Sequence, residues 1–186
     1  MSQSASDLEA RQPDGTARRM RLREFQAQLV ERMHHAHDSE AVQASQLGLL
    51  MGGRRWLLDL QTAGEIVSAH ELTPVPLTRS WYRGLINIRG NLVGVIDLAC
   101  FDGGPQSTFD KDSRIVAFGA ALGINCGLLV SGVLGLRHAA GMQEQPATEE
   151  GCPWEGRRFM DEEANLWIEL DLEGLVRHPD FLQVGR

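Results

Sequence analysis

Residues 80–101 read SWYRGLINIRGNLVGVIDLACF and limit the fold more than any other stretch. Two apolar runs, 85–88 and 92–96, stand either side of Arg89-Gly90-Asn91. Leucine, isoleucine and valine suit a pleated, buried surface, and glycine with asparagine supplies the positive φ angles of a tight turn. The stretch therefore predicts a strand, a turn at Gly90-Asn91 and a second strand. On that reading Asn87 and Arg89 share one face of the first strand. Arg89 is then either a solvated strand end or a group held for a partner.

The flanking chain has the same texture. Residues 47–60 predict another hairpin, with Gly52-Gly53 as its turn. Residues 62–67 (TAGEIV) predict a short helical turn running into a strand, with Glu65 beside Ile66 and Val67. Pro74 and Pro76 lack backbone donors, which makes 72–78 an extended connection. Residues 115–136 are uncharged throughout and long enough to span a bilayer. Gly119, Gly123 and Gly127 even carry the small-residue spacing of packed membrane helices. No aromatic belt or basic cluster flanks the run, however, and glycines and Asn125 lower its hydrophobicity. It reads better as three buried strands at 115–118, 126–130 and 133–136. Further strands are expected at 157–160 and 166–170, then a short helix or turn at 171–176 stopped by His178-Pro179. About eight to ten short strands with close turn signals predict an all-β fold with barrel-like closure and a few short helices.

A hydrophobic content of 42% and a charged content of 23% suit one soluble domain, placed at 46–186. The preceding 1–45 form an extension, polar at first. Over 16–37, Leu22, Phe25, Leu29 and Met33 recur at helical spacing and predict an amphipathic helix. Such a narrow stripe packs on its own domain or docks a partner; the first is the simpler reading. The net charge of −7 disfavours nucleic acid and anionic membranes as partners, since both demand clustered positive charge. Lys111 is the one lysine, and no phosphate-binding motif surrounds it. Cys100, Cys126 and Cys152 lack metal-ligand spacing, and His34, His35 and His37 cannot all reach one ion from a helix. Neither a metal nor a cofactor is expected. The N-terminal residues lack the apolar core of a secretory signal, so the cytoplasm is the expected compartment.

No nucleophile–base pair, paired carboxylates or nucleotide loop can be picked out, and no catalytic residue is expected. Asp97, at the end of an apolar strand, reads as a cap for the turn that follows rather than an acid or base. A small all-β enzyme or ligand-binding barrel using Asp97, His138 or Cys126 is the alternative reading.

The block WYRGLINIRGNLVGVIDL resembles the signature of CheW-like coupling proteins, GhxNhRGxhhPhhDL with h apolar. Gly84, Asn87, Arg89, Gly90, Asp97 and Leu98 fall on it in register. GEIV at 64–67 and CGLLVSGVLGL at 126–136 extend the likeness, which covers roughly residues 46–182. The opening LGLLMGGRRWLL, Trp81 and the N-terminal helix are most similar to the PilI-type branch of type IV pilus twitching-motility systems. Two positions depart from the pattern. Gly94 stands where the family has proline, which is expected only to loosen a strand, and Ser131 stands where it has aspartate. The resemblance implies two small five-stranded β-barrel lobes sharing a core. It also implies a non-catalytic adaptor between a CheA-type histidine kinase and the cytoplasmic tip of a methyl-accepting chemoreceptor, with no small-molecule substrate and no insertion in the membrane. Carried over by position, Glu65, Val67, Asn87, Arg89, Gly90, Ile115 and Val133 would line the receptor groove. Trp81, Gly84, Asp97, Leu98 and Gly127 would be structural. Glu65 and Arg89 would lie within ion-pair reach and hold neighbouring strands in register.

Overall fold

The described residues open with a hairpin of β1 (Ser45–Met51) and β2 (Arg54–Asp59). Gly52 and Gly53 take φ of 56° and 75°, the left-handed pair that a two-residue turn requires. This computed structural model describes residues 45–70, 72–146 and 151–186, so the helix expected over 16–37 and the histidines at its end lie outside the described residues. The remaining strands are β3 (Ala63–Ser68), β4 (Tyr82–Ile88), β5 (Asn91–Ile96), β6 (Arg114–Phe118), β7 (Cys126–Val130), β8 (Gly132–His138), β9 (Gln143–Gln145), β10 (Glu155–Met160) and β11 (Leu166–Leu170). Two short helices, α1 (Leu98–Phe101) and α2 (Leu172–Arg177), follow β5 and β11. One sheet has the order β3-β6-β7-β5-β4 and the other β8-β1-β2-β11-β10-β9.

The five-stranded sheet curls until its edges meet. Thr73, in the extended connection after β3, exchanges two backbone hydrogen bonds of 2.8 Å with Leu85 of β4. Gly84 makes this approach feasible: at φ 126° a Cβ there would sit 2.3 Å from the Thr73 carbonyl oxygen. Ile86, Ile88, Val93, Val95, Ile115 and Leu129 fill the enclosed interior. The six-stranded sheet encloses a smaller cluster of Leu57, Phe159 and Trp167.

A third and larger core lies between the sheets. Leu47, Leu49, Met51, Trp56 and Leu58 meet Ile96, Val116, Phe118, Leu128 and Val130 there. Successive residues of β6 thus serve two cores, Ile115 one and Val116 the other. A strand buried on both faces reads as an unbroken apolar run instead of an alternation. That is why β6 and β7 help 115–136 mimic a membrane span. The run also holds a 3-10 turn at Ala120–Leu122 and part of β8, where the expected buried strand is instead an edge strand with Gly135 and Leu136 exposed. No helix among the described residues is long and apolar enough to cross a membrane. The shared core is closed by Phe181, whose ring stacks on Trp81 (6.4 Å between centroids) and Phe118 (6.3 Å).

Two expectations need correction, and a third feature had no reading in the sequence. Residues 63–68 are strand from their start: Thr62 caps a turn on the Asp59 carbonyl, after which β3 pairs with β6. The second sheet has six strands because Gln143–Gln145 pairs with β10, and three polar residues give no apolar pattern to read. Finally, β7 and β8 belong to different sheets, and Ser131 marks the crossing, its N–H donating to the Leu50 carbonyl at 2.8 Å.

Candidate functional site

The β4–β5 hairpin turns one residue earlier than its composition suggests. Ile88 pairs with Asn91, so Arg89 (φ 50°) and Gly90 (φ 91°) are the turn residues. Arg89 therefore does not share a strand face with Asn87. Instead the Asn87 carboxamide oxygen accepts the Gly90 N–H at 2.7 Å, which steadies a turn containing a non-glycine residue at positive φ. The Arg89 Nε reaches both Glu65 oxygens, at 3.0 and 3.1 Å.

These partners are not on neighbouring strands, as the sequence suggested. β3 and β4 are opposite edges of the sheet, and the pair spans the line where the sheet curls to meet itself. The Arg89 side chain is 80% exposed and that of Glu65 37%. Water screens such a pair, leaving about 0–1 kcal/mol of net stability. Arg89→Ala and Glu65→Ala should each leave the thermal midpoint within about 2–4 °C of the wild type. Calorimetry checks this, and a large drop would mean the pair holds the barrel shut.

Glu65, Asn87, Arg89 and Gly90 thus gather at one exposed tip, and the other assigned contacts disperse. Val67 lies along β3, half-buried against the barrel interior. Val133 sits on the other sheet, partly buried and opposite Leu49. Ile115 is 0% exposed and points into the barrel. It is a core residue, and its assignment to a contact surface is corrected. Trp81 and Leu98 are buried in the shared core, and a Cβ on Gly127 would press on Ile115 and the Val116 carbonyl at 3.0 Å.

Asp97 caps α1 and is 1% exposed. Its carboxylate accepts hydrogen bonds from the Cys100 N–H (3.2 Å), Arg83 Nη1 (3.0 Å), the Ser107 N–H (2.6 Å) and the Ser107 hydroxyl (2.9 Å). Arg83 also donates to the Ser107 carbonyl and lies over the Phe109 ring at 4.5 Å. One carboxylate thus pins the loop over 102–110 to the hairpin, and its oxygens are occupied. His138 is exposed at the end of β8. Burial pushes the Cys126 thiol up to about 11, far from a nucleophilic thiolate at neutral pH. Alkylation of Cys126 by iodoacetamide should be slow at pH 7–8 and rise steeply toward pH 11, as mass spectrometry of the modified peptide would report. Fast labelling at pH 7 would revive the enzyme reading.

Where the sheets meet, a cavity of about 460 Å³ opens, lined by Met51, Arg54, Trp56, Leu98, Gln106 and Ser131 among others. Sequence reasoning missed it because its walls come from 51–56, 98–110 and 131, which nothing local connects. The Arg54 guanidinium lies over Trp56 at 4.7 Å and pairs with Glu155 and Asp102. Asp102, Cys152 and Glu155 approach as metal ligands would, within 4.8 Å. Arg54 already supplies the positive charge, however, and burial with the Asp102 hydrogen bond pushes the Cys152 thiol up to about 11. Gly94 uses a backbone donor and a space in β5 that proline would change. Its N–H donates to the Asn125 carbonyl at 2.9 Å, a bond proline would lack, and the Tyr82 ring occupies the space of a side chain.

Residues 46–180 match the family model described as CheW-like domain. The chain is 30% identical over 153 residues to Protein PilI of Pseudomonas aeruginosa, covering 80% of this chain and 84% of that protein. It is 24% identical over 120 residues to Chemotaxis protein CheW of Thermotoga maritima, covering 63% and 78% respectively. The crystal structure of the scaffolding protein TtCheW from Thermoanaerobacter tengcongensis superposes with a TM-score of 0.61. That likeness spans 74% of this chain and 94% of the other at 22% identity, and establishes the fold.

Proposed function

Since the chain belongs to the CheW-like domain family, we propose that it is a non-catalytic cytoplasmic adaptor holding a CheA-type histidine kinase and the cytoplasmic tip of a methyl-accepting chemoreceptor in fixed geometry. The likeness to PilI favours type IV pilus twitching motility as the output. The observation that carries the reading is the ordered hairpin tip, where Asn87 sets the turn and Glu65 aims the Arg89 guanidinium while both remain open to solvent. A charge held on a rigid barrel presents a partner with a fixed pattern, and such patterns set recognition and register more than raw affinity. An adaptor acts through a coupling free energy between two sites, which rigid cores serve and catalytic groups do not.

The test is reconstitution with a methyl-accepting chemoreceptor and a CheA-type kinase from the same organism. Arg89→Ala should weaken receptor binding about tenfold, or 1.4 kcal/mol, and uncouple kinase control without loss of fold. A double-mutant cycle with Glu65→Ala should return a non-zero interaction energy. Wild-type binding and kinase control in Arg89→Ala would remove the tip from the site. Saturable nucleotide binding by the purified protein would overturn the adaptor reading itself.

A further inference from the structure

β3 breaks the alternation of a regular strand. Ala63 packs on the core between the sheets and Val67 on the barrel interior, although residues four apart in a strand share a face. The pairing with β6 explains the switch. Ala63 stands opposite Phe118 and Ile66 opposite Val116, so Gly64 and Glu65 together face Ala117 alone. Two residues against one make a β-bulge, which bends its strand and re-aims a side chain.

Only glycine fits the first position of this bulge. A Cβ on Gly64 would lie 2.8 Å from the Phe118 carbonyl oxygen and 3.0 Å from that of Ala117, both backbone atoms and not the free end of a side chain. Without the extra residue, Glu65 would pair with Ala117 and share its face, which is the barrel interior. Its carboxylate would then be buried against the apolar cluster of Val95, Ile115 and Leu129. The bulge instead leaves Glu65 at the seam where β3 and β4 meet, its oxygens accepting from Arg89 Nε at 3.0 and 3.1 Å. The other end of the pair rests on a second irregularity, the φ of 50° at Arg89. Two departures from regular backbone thus converge on one exposed ion pair, which contributes too little stability to account for either. Such departures gather at functional sites.

We propose that Gly64 is a positioning residue for the hairpin tip: the bulge it permits turns the Glu65 carboxylate across the seam, and Glu65 in turn fixes the direction of the Arg89 guanidinium. The consequence for receptor binding rests on the adaptor reading given above, whereas the positioning does not.

The test follows the Arg89 Nε–H resonance of the isotope-labelled full chain by NMR, with receptor binding measured in parallel. In Gly64→Ala the resonance should move to the position it takes in Glu65→Ala, and receptor binding should fall about tenfold. The double variant Gly64→Ala/Glu65→Ala should bind as Glu65→Ala does, because nothing is left to position. A resonance unmoved by Gly64→Ala, or losses that add in the double variant, would overturn the proposal. A moved resonance with receptor binding unchanged in all three variants upholds the positioning and counts against the tip as the receptor site. Deletion of Gly64 decides the matter if Gly64→Ala does not fold. It leaves Ala63 opposite Phe118 and Ile66 opposite Val116, but puts Glu65 on the barrel face. The thermal midpoint should drop by more than about 10 °C, and adding Glu65→Val should recover most of that loss. No recovery would mean that the bulge does not serve to hold Glu65 out of the barrel, and the proposal would fall.

Discussion

Asp97→Ala is expected to destabilise the domain by about 3–5 kcal/mol, a large share of the roughly 5–15 kcal/mol typical of a folded domain. Removing the carboxylate leaves the nearly buried Arg83 guanidinium without its counter-charge. It also strands the Ser107 N–H and hydroxyl and removes the cap of α1. Each is a loss of a partner by a group wholly or partly withdrawn from water, and such losses grow with burial. Asp97→Asn keeps the shape and one acceptor, so a smaller deficit is expected. Urea denaturation measures both, and limited proteolysis should show new cleavage between 102 and 110. A loss below about 1 kcal/mol for the alanine variant would mean that Arg83 and Ser107 find other partners.

Phe181→Ala is the second large effect, expected at about 3–5 kcal/mol from lost burial plus the cavity left behind. The residue lies beyond the last helix, in a stretch (HPDFLQVGR) that reads as a polar tail. It is nevertheless 1% exposed, stacked between Trp81 and Phe118 with its edge to Phe101 at 5.9 Å. Trp81 precedes the hairpin and Phe118 ends β6, so the ring joins both to the tail. Thermal unfolding of Phe181→Ala against Phe181→Leu separates the two contributions, since leucine retains much of the burial and loses the stacking. An alanine variant melting within about 2 °C of the wild type would show that the shared core closes without this ring.

The sequence made some of this legible and concealed the rest for identifiable reasons. The hairpins could be read because a two-residue glycine-containing turn between apolar runs has few other uses. The β4–β5 turn was misplaced by one residue because Arg89 is an uncommon occupant of left-handed backbone, tolerated here through the Asn87 side chain. Asp97 was readable as a cap because it precedes Leu98 directly, yet its grip on Ser107 was not, being a contact across a loop. Ile115 was assigned to the groove by position in the resemblance, and a strand with two buried faces offers no local pattern to contradict that. The Arg89–Glu65 contact was anticipated, but not the edge-to-edge line it crosses. The cavity near Arg54 had no local signal at all.

The order β8-β1-β2-β11-β10-β9 has a consequence for how the protein is made. β2 lies between β1 and β11, and Trp56 must wait for Ile168 before its strand has both neighbours. In the other sheet β5 likewise waits for β7. During synthesis, therefore, the strand RRWLLD leaves the ribosome with one edge open and apolar side chains on both faces. It stays so until residues 166–170, more than a hundred positions later in the chain, have been made. Loop-closure entropy opposes such distant pairings until late contacts offset it, which places folding on the millisecond-to-second scale, not the microsecond one. The open edge is a template for pairing with another nascent chain. Expression at low temperature or with a holding chaperone should raise the soluble yield more than added surface charge would.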